Sequence, residues 1–389
     1  VGDTVYVGGL FTSIGGQDRN RVASINKLTG QITDWNPNAD EDVNCLAISG
    51  NKLYAGGSFA QIGGLIRKRI ASVDISTGEI SSWNPNANGT INSIAINDSN
   101  IFVGGSFTSI SGQQRNRIGA IHKTTGNPTA WNPDANGTIN TIDFQGNTVY
   151  IGGSFTTVGG LIRNRIAAIN PATGIPTAWN PNSEGNINTI DVFGDIVYVG
   201  GTFYKIDGQT RNLIAAINAT TGLATQWNPN ATGTIPSIKT LCRVGGIVYA
   251  GGSFTSIGGQ ARSNIAALDA ITGQATSWAT KSDSDILTIS ANNTAVYTGG
   301  QFNSIGDIQT RNRIAAIDAT TGKPTPWNPS ANGTINTIAI QGDTVYVGGS
   351  FTTIGGITRS KIAAINATTG LATEWDPIAN SSIDIIALS

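Results

Sequence analysis

The chain contains no methionine and one histidine, His122. Histidine-based triads and metal sites need further groups converging on the imidazole, so a lone histidine excludes both. Without a methionine the initiator is missing, and the chain is expected to be a mature product or one part of a longer polypeptide. Charge is sparse and balanced, with Lys and Arg totalling 23 against 24 Asp and Glu, for a net charge of -1. Such a balance gives no general attraction to polyanions, so nucleic acid is not an expected partner. No stretch approaches the roughly 18 consecutive apolar residues of a spanning helix, and no charged-then-apolar leader opens the chain. No membrane insertion is expected. The two cysteines, Cys45 and Cys242, fall far apart in the chain and read as small core residues rather than a disulfide.

What is abundant is glycine, asparagine, threonine and serine, the composition of an exported β protein rich in turns. The eight tryptophans, Trp35, Trp83, Trp131, Trp179, Trp227, Trp278, Trp327 and Trp375, are separated by 48, 48, 48, 48, 51, 49 and 48 residues. Sixteen residues before each stands an arginine: Arg19, Arg67, Arg115, Arg163, Arg211, Arg262, Arg311 and Arg359. The chain is therefore eight tandem copies of one unit of about 48 residues. The copy around Trp179 predicts four strands, Ile139 to Phe144, Val149 to Phe155, Arg165 to Asn170 and Pro176 to Trp179. Gly146-Asn147 is expected to supply the left-handed conformations of a tight hairpin, and Gly174 to end the turn Ala172-Thr173-Gly174.

A four-stranded antiparallel meander cannot bury both faces alone, and stacking copies around an axis solves that. The expected fold is all-β: an eight-bladed β-propeller of four-stranded antiparallel blades, one domain over residues 1–389. The chain opens on a second strand, Val5-Tyr6-Val7-Gly8-Gly9, and ends on a first strand, Ile383 to Leu388. Pairing the C-terminal strand with the N-terminal blade would close the ring and remove an exposed edge.

The unit Gly251 to Trp278, GGSFTSIGGQARSNIAALDAITGQATSW, with VYVGG and NGTINTIAI flanking other copies, resembles the delta-60 repeat of bacterial surface β-propellers. The resemblance covers essentially the whole chain. It implies an exported protein of the extracellular space or cell surface, often one domain of a longer polypeptide, with no common enzymatic activity.

The recurring tryptophan and arginine read first as structural, the tryptophan packing between blades and the arginine bonding loop carbonyls. Glycine pairs such as Gly152-Gly153 lack the helix and Lys-Ser/Thr of a phosphate loop and read as points of close blade packing. Calcium is the one cofactor left open, at the acidic variants Asp40, Asp42, Asp283 and Asp285, where carboxylates alternate as neighbouring ligands would. Binding is expected on the face carrying the second-to-third-strand loops and the fourth-to-first-strand connections. There the nonrepeating side chains Tyr204, Lys205, Lys281, Asp283 and Asp307 are the candidates. Inner-strand residues such as Asn140 and Asn188 point to a polar central channel.

The sequence leaves three function classes open. Scattered acids with no repeated pairing argue against a carbohydrate-active enzyme. Near-identical blades suit a rigid structural or assembly unit of a larger extracellular complex. A decorated loop face suits adhesion or protein interaction at a bacterial surface, with a surface protein or glycan as partner, and that non-enzymatic reading is preferred.

Overall fold

The computed structural model describes residues 2–306 and 310–389. In the fourth copy, Thr148–Gly153 is buried at every position after its first residue. Both faces of such a strand must be covered, and the layers that cover it are the neighbouring blades. Eight three-stranded antiparallel sheets repeat this arrangement. Blade 4 consists of Ile139–Gln145, Thr148–Gly153 and Ile166–Ile169. Blades 2, 3, 5, 6, 7 and 8 have the same order of inner, second and third strand. In blade 1 the inner strand is Ile383–Leu388, which pairs antiparallel with Thr4–Gly9, with Val5 opposite Leu388.

Eight apolar clusters occupy the interfaces between successive blades. One joins Tyr150, Ile166 and Ala168 of blade 4 to Ile187, Val199 and Phe203 of blade 5. The same arrangement joins Tyr346, Ile362 and Ala364 of blade 8 to Val5, Val7 and Phe11 of blade 1, which closes the ring. Each tryptophan spans one of these interfaces. Trp179 donates its indole N–H to the carbonyl of Asn218 in the next blade at 2.8 Å, and its ring meets Tyr150 edge-on at 5.3 Å. Trp375 makes the closing bond, to the carbonyl of Asn26 at 2.8 Å. The glycine pair permits this proximity: a Cβ on Gly152 would lie 2.5 Å from Ile187 Cγ2 of blade 5, and one on Gly153 would strike the carbonyl of Thr138.

The expected fourth strand is reduced to one bridge per blade, such as Ile169 with Pro176. The cause lies in the next residues. Thr177 still donates its amide to Ala168, but its carbonyl accepts from Arg163 and its hydroxyl accepts from the Trp179 amide, which turns the chain toward the interface. The second and third strands are also shorter than expected, since Ser154 and Phe155 leave the sheet and the third strand ends at Ile169. At the expected hairpin only Gly146, at φ 59°, is left-handed and Asn147 is not, a pattern that fits a type II′ turn.

Candidate binding face

Between its second and third strands each copy inserts a small loop, and among the described residues seven of these form a two-residue-by-two-residue hairpin such as Thr157–Val158 with Leu161–Ile162. The connection arriving from the preceding blade is fixed to it. Ala135 bridges Val158, and Asn136 accepts from the amides of Thr156 and Thr157 at 2.8 and 3.0 Å while donating to Thr156 Oγ1 at 2.7 Å. Hairpins and connections thus share one face, and the asparagines that look like ligands are occupied in holding turns.

The acidic variants follow the same pattern. Asp40 Oδ1 accepts from Ala60 and Gln61 amides at 2.8 and 2.9 Å, and Asp283 Oδ1 accepts from the Asn303 amide at 2.9 Å. Asp285 is paired with Lys239 at 2.6 Å. Asp42 receives the Ser58 amide on its carbonyl. Among the described residues no three His, Cys, Asp or Glu side chains converge as metal ligands.

The five binding candidates are not brought into one cluster. Tyr204 is 57% exposed on the blade 5 hairpin, beside Lys205, which lies 3.6 Å from Glu184. Lys281 and Asp283 lie on the connection from blade 6 to blade 7, so the blade 6 hairpin Ser256–Ile257 with Gln260–Ala261 stands between the two groups. Asp307 lies outside the described residues.

The recurring arginine is a strut. In all eight copies one Nη donates to the carbonyl of the preceding residue and the other reaches the carbonyl fourteen residues on, as Arg163 does to Ile162 at 2.9 Å and Thr177 at 2.7 Å. A second cationic series, legible in the sequence as an Arg-x-Arg spacing, follows two residues later. It comprises Arg21, Arg69, Arg117, Arg165, Arg313 and Lys361, with Leu213 and Asn264 completing the eight positions. All eight are left-handed, with φ from 64° to 69°, so the conformation belongs to the fold rather than to any one side chain. Next to this series open clefts lie between blades. One of about 470 Å³ is lined by Lys68, Arg69, Asn86, Asn88 and Ser109, and one of about 350 Å³ by Asn116, Arg117, Asp134, Asn136 and Thr157.

The inner strands carry a bulge at each copy's second residue, seen where the register skips Asn140 between Ile139 and Thr141. The bulge turns the amide sideways: Asn140 donates to the Ile187 carbonyl and Asn188 to the Ile238 carbonyl, both at 3.1 Å, tying adjacent blades together. One sector breaks the repeat. Asp143 and Asp191 occupy matching positions opposite Tyr150 and Tyr198, and Asp143 Oδ2 accepts from the Val192 amide at 3.1 Å. Burial holds both carboxyls above the usual carboxylate range, and the charge of Asp143 raises Asp191 further. Arg243 lies with its guanidinium carbon 3.5 Å from the centre of the Phe193 ring. Both thiols are free, and burial pushes Cys45 up to about 12 and raises Cys242 as well. His122 takes no part in any cluster: its Nδ1 accepts from the Thr124 and Thr125 amides, the turn role Asn170 plays in the next copy.

The sequence profile of a family described as outer membrane protein assembly factor BamB matches residues 1–175 and again 152–375. The chain belongs to the BamB family. Among solved structures, this BamB-family chain resembles BamB from Moraxella catarrhalis, at 18% identity and a TM-score of 0.52 over 85% of this chain and 83% of that one. It also resembles the computationally designed protein Ika8, at 15% identity and a TM-score of 0.63 over 94% of each. The dihydro-heme d1 dehydrogenase NirN superposes at 9% identity with a TM-score of 0.63, over 99% of this chain and 75% of that one. At such identities the likeness extends to the β-propeller fold alone. No curated protein sequence matches this BamB-family chain.

Proposed function

We propose that the chain is a non-enzymatic protein-interaction propeller of the bacterial envelope, exposed at the cell surface and acting in adhesion or assembly. The observation that carries this reading is the match, over both halves of the chain, to a family described as an outer membrane protein assembly factor. The finer likeness to the delta-60 surface repeat supports the exported location. The working surface is the hairpin face at blades 5 and 6. There the cationic series is interrupted by Leu213 and Asn264, and Tyr204 and Ile235 stand 57% and 86% exposed. Exposed aromatic and aliphatic side chains are the usual anchors of a protein interface. The lone histidine serves as a turn acceptor, consistent with a protein that binds and does not catalyse.

A photo-crosslinking residue placed at Tyr204 or Ile235, in cells that make the protein, is expected to give one discrete adduct. The same residue at Ile175, on the turn after the third strand of blade 4, is expected to give none. Adducts only at Ile175, or at neither position, would sink the assignment of this face. The uniform Trp-to-carbonyl bonds of the eight interfaces favour a second reading, a rigid assembly unit, which predicts adducts at neither face.

A further inference from the structure

We propose that the cleft between blades 2 and 3 on the hairpin face is a binding site for a carboxylate-bearing sugar unit of an acidic glycan. This site is separate from the Tyr204 sector and does not depend on a protein partner there.

The argument rests on what the cleft presents and what it lacks. Its walls are Ala60, Lys68, Arg69, Asn86, Ala87, Asn88, Ser109 and Gly112, enclosing about 470 Å³. That is room for one or two hexose rings, within the roughly 300–1,000 Å³ typical of small-ligand sites. Two cations line it and no acid does, whereas the corresponding cleft at Arg117 contains Asp134. The carboxylate of Asp40, on the neighbouring connection, is engaged by the Ala60 and Gln61 amides.

The cations also differ in how they are held. Arg21, Arg117 and Arg313 each donate to a backbone carbonyl, from Leu10, Ser106 and Gln301 respectively, and so act as loop braces. The Nε of Arg69 has no hydrogen-bond partner, a state it shares with Arg165 and the eight strut arginines, so what distinguishes Arg69 is the acid-free cleft beside it. A guanidinium beside a cleft without an acid can take a bound carboxylate through a charge-assisted contact of its terminal nitrogens. Around it, the Asn86 and Asn88 side-chain oxygens are fixed by the amides of Lys68, Thr108 and Ser109, so the rim is rigid. The Ala60 methyl group and Gly112 give a shallow wall suited to a sugar ring. No aromatic or large aliphatic side chain lines the cleft to anchor a peptide, which points away from a protein ligand.

Calorimetric titration of the full chain would use three probes: a trimer of galacturonic acid, its carboxyl-reduced counterpart, and triglutamate. The acidic trimer is expected to bind, more weakly as salt rises, with the neutral trimer and the peptide each weaker by roughly tenfold or more. Arg69→Gln is expected to weaken the acidic trimer by roughly tenfold with the melting temperature unchanged. Lys68→Gln, at an exposed side chain whose loss cannot unfold the blade, is expected to weaken it about threefold. Arg117→Gln serves as the control and should leave this affinity unchanged. Failure of the acidic trimer to bind, equal binding of the neutral trimer or of triglutamate, or unchanged affinity in both Arg69→Gln and Lys68→Gln would each overturn the proposal.

Discussion

Asp143 and Asp191 break the repeat at an inner-strand position where other copies place Ala, Cys or Ser, as at Ala95, Cys242 and Ser290. Burial raises both carboxyls in the folded chain, so as pH rises the unfolded chain loses these protons first. The pair therefore opposes folding above the ordinary carboxylate range, and the folded state regains stability as pH falls through the raised values. Asp269 acts with the opposite sign. Amide and hydroxyl bonds from Thr272 lower it, so it stabilises the fold above the unfolded value and stops doing so as pH falls through the lowered one. Asp143→Asn keeps an oxygen for the Val192 amide and removes the buried charge. It is expected to raise the melting temperature by about 1–2 °C at neutral pH, with the gain vanishing near pH 3. A calorimetric melt at the two pH values checks this, and a lower melting point at neutral pH would refute it.

At the scale of the blade, the second strand sets how closely two sheets approach. Gly153 faces a backbone carbonyl, that of Thr138, which cannot move without disturbing the inner strand. Gly152 faces Cγ2 and Cβ of Ile187 at 2.5 and 3.0 Å, a side-chain contact between blades that a small shift of the interface can relieve. Gly153→Ala is therefore expected to cost about 1–3 kcal/mol in urea unfolding and Gly152→Ala less. The reverse order would mean that the side-chain contact, not the backbone, limits the packing. Repeat length, strand order and turn glycines were legible because each depends on local periodicity and on conformations available to few residues. The fourth strand was not. Its alternation in Pro176 to Trp179 looks like a strand, but its fate depends on Arg163, distant along the copy, which takes the Thr177 carbonyl.

For the whole molecule, closure is the property on which stability depends, because each apolar cluster needs two blades. Ile383–Leu388 supplies the inner strand of blade 1, and Asn336 of blade 8 donates to Ile383 O and Asp384 Oδ1 at 3.4 and 2.7 Å. Deleting 383–389 leaves Thr4–Gly9 as an open edge next to an uncovered cluster. The truncated chain is expected to elute at larger size than the full chain and to melt in more than one step. Adding back a peptide of those residues should restore the full-length behaviour. A truncated chain indistinguishable from the full one would show that the ring does not depend on its closing strand.

The eightfold repeat, the all-β class, the permuted ends and the inter-blade tryptophans were fixed by spacing alone, since one copied unit meets one copied environment. The binding face was only half readable. Which loops share a face follows from strand order, but Tyr204 and Lys281 fall in separate groups, and Asp40 and Asp283 are committed to turns, because those outcomes depend on contacts between blades. The same reason hid Arg69. In sequence it is one of six cations in a series, and only the packing of blade 3 against blade 2 sets it beside a cleft without an acid.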